Sequence, residues 1–277
     1  MPCAFPIPAW RPAIGGPLKF NEPTNGRAHQ KIEIPCGYCD LCREEQARQQ
    51  AIRIVHEATA YEENAFVTLT YADKHLPPHG GLQYADLRKF CMRVRKRWNG
   101  LRYYAVGEYG DETLRPHYHM CIFGRAFTED RIILRTTPTL LWTSPALEEA
   151  WGLGNVSVGT LNFQTARYTA SYVTKKLRAK QQYVRVDPET GELIALEQPK
   201  ASMSKNLGKQ WFWKWIDQVV QKDYVIIDGK KQKPPKAYDK WLKEISPTTA
   251  EEIKTERRTY AKQEKRSEEQ NRARATN

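Results

Sequence analysis

The chain lacks any uninterrupted apolar run of about eighteen residues, so no membrane-spanning helix is expected. Its opening "MPCAFPIPAWRP" is too rich in proline and too poor in apolar length to read as a signal peptide. There is no glycine-rich phosphate turn of the dinucleotide-binding or P-loop type, which argues against nucleotide-driven chemistry. Cysteine is sparse, six in 277 residues. In the cytosolic setting these features imply, thiols are expected to be reduced or metal-bound rather than bridged. Acidic residues are also in deficit, 32 against 44 basic ones, giving a net charge of +12 and a pI near 9.4. Such an excess suits a polyanionic partner, because each cation placed at a phosphate releases a condensed counterion.

What is present suffices for a folded core: 40% apolar residues with eight Trp and fourteen Tyr. Residues 1–35 read as an irregular arm rich in Pro, Gly and Asn. Helical spacing follows from about Asp40 to Glu63, then a β-branched strand "AFVTLTY" at 65–71. An amphipathic helix occupies 84–99, with Leu87, Phe90, Cys91 and Val94 inward. "LRYYAVGEYG" and "RPHYHMCIFG" are two strands close enough to pair antiparallel. A short helix near 145–151, a strand "NVSVGTL" and a strong helix over 163–180 complete the run. The order predicts an α+β fold with a central antiparallel sheet of palm or ferredoxin-like type and helices on one face. Four segments are expected: an N-terminal arm, Cys cluster and helix (1–62), a core (63–185), a C-terminal extension packed on it (186–250) and a charged solvated helix or disordered tail (251–277). Trp211, Trp213 and Trp215 read as core, with base stacking as the alternative. Cys91 and Cys121 also read as core.

His117 and His119 lie two apart on a strand and therefore share a face. Their spacing lets one cation bridge two imidazoles. Glu108, nine residues earlier, can lie across from them; Asp111 or Glu112 could serve instead, since sequence does not fix the register. Two imidazoles and a carboxylate leave positions open for water and substrate, as a catalytic ion needs. In "RYTASYVTKKL", Tyr168, Tyr172 and Lys175 fall within an arc of about 60° on one helix face, with Lys176 beside it. Tyrosine is a nucleophile at phosphorus once ionised, and a nearby lysine can stabilise the phenolate or the developing phosphorane charge. From Arg167 to Arg185 there are six basic residues, including Arg178 and Lys180, and no acid. Arg93, Lys96 and Arg97 on the earlier helix are further candidates for phosphate contact. Cys36, Cys39 and Cys42 have the spacing of structural zinc ligands; Cys3 is the choice for the fourth, with His29 and His56 as alternatives. Thr68 and Thr70 are expected to support the sheet beside the site.

"FVTLTY", "RPHYHMCIFG" and "YTASYVTKK", in that order, resemble the three motifs of the HUH rolling-circle replication initiators, in the two-tyrosine form. Tyr118 stands between the histidines, where that family favours a purely hydrophobic residue. The resemblance is strongest to replication initiation proteins of microviruses, the small single-stranded DNA bacteriophages. It extends to "PCGYCDLC", "GEYG", "LLWTSPALEEAWGLGNVSVG" and "VIIDGKKQKPPKAYDKWL". It implies a metal-dependent nicking and joining enzyme, with Mg²⁺ or Mn²⁺ as the catalytic ion, acting on phage origin DNA in the host cytoplasm. The cysteine spacing points separately to a structural Zn²⁺, the absence of a long apolar run to no membrane partner, and the absence of a Walker motif to a helicase and polymerase supplied by the host. The rivals are an HUH transposase or relaxase, a mononuclear metal enzyme acting on small molecules, and a non-catalytic zinc-dependent DNA-binding protein.

Overall fold

Burial alternates strictly along Asn64–Thr70, the mark of a strand covered differently on its two faces. This strand is the centre of the molecule. The computed structural model describes residues 3–14, 16–24, 29–110, 112–175, 183–187 and 189–275. The elements run β1 (Ile7–Pro12), β2 (His29–Ile34), α1 (Asp40–Ala58), β3 (Asn64–Thr70), α2 (Tyr84–Trp98), β4 (Arg102–Tyr109) and β5 (Pro116–Phe123). They continue with β6 (Ile132–Arg135), β7 (Leu141–Thr143), α3 (Pro145–Trp151), β8 (Val156–Gly159) and α4 (Phe163–Lys175). Then come β9 (Val184–Val186), β10 (Leu193–Ala195), β11 (Ala201–Met203), α5 (Lys209–Lys214) and α6 (Ile216–Lys222). The last are β12 (Val225–Ile227), β13 (Lys230–Gln232), α7 (Lys236–Ile245) and α8 (Pro247–Ala275). Residues 1–205 form one unit and residues 206–277 a second.

The first unit is built on a seven-stranded antiparallel sheet of order β11-β4-β5-β3-β8-β7-β6. Its inner strands β8-β3-β5-β4, with α2 and α3 as crossovers, have the split β-α-β arrangement of a ferredoxin-like fold, as expected. Both crossover helices cover one face. There Leu87 and Phe90 of α2 and Leu147 and Trp151 of α3 pack on Val67, Leu69, Met120 and Ile122. Each such side chain contributes about 1.5–3 kcal/mol on burial. Tyr118 belongs to this core, and its hydroxyl accepts from Gln83 N at 2.8 Å. That bond satisfies the one polar atom of a side chain otherwise packed as a hydrophobic core residue.

The opposite face carries an added layer, α1 and α4 packed on each other. Ala47 and Ala51 of α1 and Ala166 and Ala170 of α4 are buried; their small side chains let the helices approach closely. The start of α4 is fixed by a reciprocal cap. Asn162 Oδ1 accepts from Thr165 N at 2.9 Å, and Thr165 Oγ1 accepts from Asn162 N at 2.9 Å.

Three local expectations change. The N-terminal arm is not irregular: β1 and β2 pair antiparallel, and an isolated two-stranded ribbon tolerates the prolines that obscured the pattern. The stretch after β5 contributes β6 at the sheet edge and β7 beside it, both too short to show periodicity. In "WFWKW" the buried ring is Phe212, while Trp213 and Trp215 are exposed. In the second unit, Arg257 of α8 holds Asp223 at 2.8 Å and Asp239 at 3.0 Å, tying the long helix to α7 and to the turn after α6.

Gly154, between α3 and β8, has φ +158°. A Cβ there would lie 2.2 Å from Thr70 O and 2.4 Å from Ala72 N, both backbone atoms of the central strand's end. Gly154→Ala is expected to destabilise the protein by more than about 2 kcal/mol, read as a lowered midpoint in thermal unfolding. An unchanged midpoint would contradict this packing.

Candidate active site

The β4–β5 register places Glu108 directly opposite His117 and Val106 opposite His119. On the other flank Thr70 pairs with His117 and Thr68 with His119. Glu108, not Glu112, is thus the carboxylate brought to the histidines; Glu112 lies in the turn, and Asp111 is outside the described residues. Glu108 Oε2 sits 3.2 Å from His117 Nε2 and 3.3 Å from His119 Nε2.

The outer ring nitrogens show what this arrangement requires. His117 Nδ1 lies 3.1 Å from Arg115 O, which can only accept, so the neutral ring carries its proton on Nδ1. His119 Nδ1 lies 3.0 Å from Thr68 Oγ1, which can accept in the same way. In these tautomers both Nε2 lone pairs face the carboxylate oxygen. Glu108 Oε2 and His119 Nε2 are buried with no hydrogen-bond partner among the described residues. Three lone-pair donors within 4.8 Å of one another repel unless a cation lies among them. The residues therefore fit a divalent ion.

The carboxylate is favoured in either state of the site: burial opposes ionisation of Glu108, but imidazoles donating from Nε2 outweigh it and hold the carboxyl down to about 2, and a cation among the donors would favour the same ionised form. Burial pushes the His119 pKa below its ordinary value, Glu108 partly countering it, which favours the neutral ligand form.

Over this cluster lies α4. The Tyr172 ring stacks on His119 with centroids 5.0 Å apart. Tyr168 meets His119 at 5.3 Å and Tyr172 at 4.6 Å, both edge-on. The helical spacing brings both tyrosines to the histidine face, as read from sequence. They differ in access: Tyr168 is 44% exposed and Tyr172 6%. Burial, then Tyr168 and Glu108, raise the Tyr172 pKa well above that of an ordinary phenol. The side chain of Lys175, and Lys176, Arg178 and Lys180 altogether, lie outside the described residues. Arg167 is exposed on α4 beside Tyr168.

Two supports were not legible beforehand. Thr68 was expected only to support the sheet, yet its hydroxyl meets His119. Phe66 stacks on the same imidazole, centroids 5.6 Å apart. Period-two alternation places Phe66 and Thr68 on the histidine face, but not at a particular ring. The candidate phosphate-binding residues of α2 are not brought to this site. Arg93 donates to Trp151 O at 3.1 Å and Arg97 pairs with Glu149 at 2.6 Å, both on the crossover-helix side; Lys96 is exposed on the same helix.

A second cluster lies at the start of α1. The sulfurs of Cys3, Cys36, Cys39 and Cys42 converge within 4.8 Å, with Cys3 Sγ 3.4 Å from Cys36 Sγ and no disulfide. Cys3 thus takes the fourth position, ahead of His29 and His56. The amides of Tyr38 and Cys39 each donate to Cys36 Sγ at 3.4 Å and lower its pKa. Amides of Cys42 and Ala4 bring Cys39 down to about 6, while burial pushes Cys42 up to about 12. Four convergent sulfurs, two of them drawn toward the thiolate by backbone amides, fit a tetrahedral Zn²⁺.

Fold and site together define a ferredoxin-like α+β core presenting a His-x-His and carboxylate cluster beneath a two-tyrosine helix. A family model described as replication-associated protein ORF2/G2P matches residues 64–177, from β3 through α4. The chain is 30% identical over 258 residues to the replication-associated protein VP4 of Bdellovibrio phage phiMH2K, covering 89% of this chain and 79% of that one. It is 29% identical over 266 residues to the replication-associated protein ORF2 of Spiroplasma virus 4, covering 87% and 80%. Replication-associated protein ORF4 of Chlamydia phage 1 is 26% identical over 222 residues, covering 76% and 54%. No solved structure matches significantly. The chain belongs to the family of phage replication-associated proteins. Among its described residues no helix is long and apolar enough to cross a membrane.

Thr68→Val removes the hydroxyl at His119 Nδ1 while conserving shape. It is expected to weaken Mn²⁺ binding about 10–100-fold by titration calorimetry, with circular dichroism unchanged. Wild-type affinity would show that Thr68 does not orient the ligand.

Proposed function

We propose that this chain initiates phage DNA replication by nicking one strand at the origin and later rejoining the displaced strand into a circle. The observation that carries the reading is the packing of Tyr168 and Tyr172 against His119, inside the Glu108–His117–His119 cluster. A nucleophile pair and a cation cradle within one packed group suit phosphoryl transfer better than small-molecule redox or hydrolytic chemistry, which would leave the tyrosines without a role.

Glu108, His117 and His119 would hold the divalent ion, Mg²⁺ or Mn²⁺. When bound, it supplies Lewis-acid polarisation of the scissile phosphate. The phenol oxygen of one tyrosine, having lost its proton, forms a bond to phosphorus. The bond from phosphorus to the 3′ oxygen breaks, and that oxygen takes up a proton. The products are a 3′-OH and a 5′-phosphotyrosine. Joining reverses the balance: an incoming 3′-OH attacks the phosphotyrosine, the tyrosyl oxygen leaves and regains its proton. The ester conserves the bond energy, so no nucleotide cofactor is needed. Tyr168, the exposed tyrosine, is proposed to attack first, and Tyr172, buried one turn on, to act in the second transfer. Lys175 and Lys176 are proposed to stabilise the transferring charge, and Arg167, Arg178 and Lys180 to hold the strand near α4. Arg93, Lys96 and Arg97 would touch DNA only on the far face of the sheet. The four cysteines are proposed to bind a structural Zn²⁺. Host helicase and polymerase would complete the replication machinery.

Labelled single-stranded origin DNA incubated with the protein and Mn²⁺ should yield a denaturation-resistant protein–DNA adduct, lost on adding chelator. Tyr168→Phe should abolish the first adduct. Tyr172→Phe should keep the first adduct and lose circular product. No adduct with wild-type protein under any divalent metal would overturn the reading. Full adduct from Tyr168→Phe with none from Tyr172→Phe would reverse the order of attack.

A further inference from the structure

Beyond the reacting cluster, the surface at the α1 end of the site holds a combination that the nicking chemistry does not use. A cavity of about 470 Å³ between α1 and α4 is lined by Asp40, Arg43, Glu44, Gln164, Arg167 and Tyr168, among others. It adjoins a second cavity of about 670 Å³ lined by Phe5, Tyr38, Cys36, Cys39, Asp40 and Arg43, among others. Asp40 and Arg43 line both, so the two form one trough from the exposed tyrosine of α4 to the Cys cluster.

Two aromatic rings stand at the far end. Phe5 is 73% exposed and Tyr38 65%. A ring carried on a rigid backbone gives up less conformational entropy on stacking. Tyr38 meets that condition. Its amide donates to Cys36 Sγ at 3.4 Å, and its carbonyl accepts from Arg43 Nε at 2.7 Å. Arg43 is itself buried, 6% exposed. The peptide is therefore held on both sides while the ring faces outward.

The polar lining identifies what enters. Arg43 donates from Nε to the Tyr38 carbonyl and lies 3.7 Å from Asp40 through Nη1, and the exposed Asp40 and Glu44 bring carboxylates to the lining of the trough. A phosphate backbone would be repelled there. Carboxylates and an amide instead suit the amino and imino edges of unpaired bases, and the two rings suit base faces. Arg167 at the Tyr168 end, exposed, can meet the phosphate that leads to the reacting position.

We infer that the trough from Tyr168 to Phe5 and Tyr38 is a single-strand DNA subsite, in which bases flanking the nick point inward and stack on the two rings of the Cys-cluster element. This rests on the nicking reading and adds to it a path for the strand. It gives the Cys cluster a role in substrate binding through the rigidity of Tyr38.

The test uses full-length protein, a fluorescent oligothymidylate and the origin strand. Phe5→Ala combined with Tyr38→Ala is expected to weaken oligothymidylate binding by about tenfold or more, since stacking is worth roughly 1–3 kcal/mol per base. On the origin strand it should raise KM and leave kcat near wild type. Phe5→Tyr with Tyr38→Phe keeps the rings and should restore both. Unchanged binding in the double alanine variant, with metal content and circular dichroism as in wild type, would overturn the subsite and mark the surface as one for another partner. Should that variant lose its metal, photo-crosslinking of wild type with 5-iodouracil DNA decides: adducts at Phe5 or Tyr38 support the trough, and adducts confined elsewhere refute it. Failure of wild type to cleave origin DNA while these binding results hold would count against the nicking reading alone.

Discussion

One cross-strand pair governs the site: Glu108 opposite His117 in the β4–β5 ladder. Because side chains alternate along strands, that pairing also brings His119 to the same carboxylate oxygen. The result is a buried carboxylate between two imidazoles whose outer nitrogens are already committed. Without a cation the arrangement is repulsive; with one, each donor is satisfied. The fold concentrates its support here. The Arg115 carbonyl fixes the His117 tautomer, Thr68 hydrogen-bonds His119 Nδ1, Phe66 stacks on His119, and α4 lays both tyrosines over it. A register slip of one residue would turn Glu108 toward the core occupied by Val67 and Met120 and dismantle all of this.

The second layer of helices explains why the site lies on this face. A ferredoxin-like sheet with crossover helices on one side leaves its other side open. Here α1 and α4 close it, packed together through alanines, and α4 carries the tyrosines. The start of α1 carries the Cys cluster, and the same end of that helix faces Tyr168 of α4 across a shared cavity. In the proposed strand path this continuity matters: Tyr38, just before α1, and Tyr168 of α4 are held by two helices packed on each other.

Much of this was legible in the sequence because it depends on period alone. Two-residue spacing put His117 and His119 on one face, and four-residue spacing put Tyr168 and Tyr172 on another. The antiparallel hairpin made Glu108 the leading carboxylate, though only the register excluded Glu112. What stayed hidden depends on long-range pairing. Thr68 meets His119 across strands 51 positions apart in sequence, and no local pattern carries that. The β1–β2 ribbon was masked by its prolines, and β6 and β7 by their shortness. On α2 the charge was visible, while the acceptors that Arg93 and Arg97 meet on α3, the Trp151 carbonyl and Glu149, were not. In "WFWKW", hydrophobicity alone could not tell which ring turns inward.

The central claim is that Glu108, His117 and His119 together hold one divalent ion beneath the two tyrosines. An anomalous-difference map from crystals grown with Mn²⁺ tests it directly. The account predicts a single strong peak within coordinating distance, about 2.0–2.3 Å, of Glu108 Oε2 and of both Nε2 atoms, on the side facing Tyr168. A peak elsewhere, or none while the three side chains keep their positions, would contradict it.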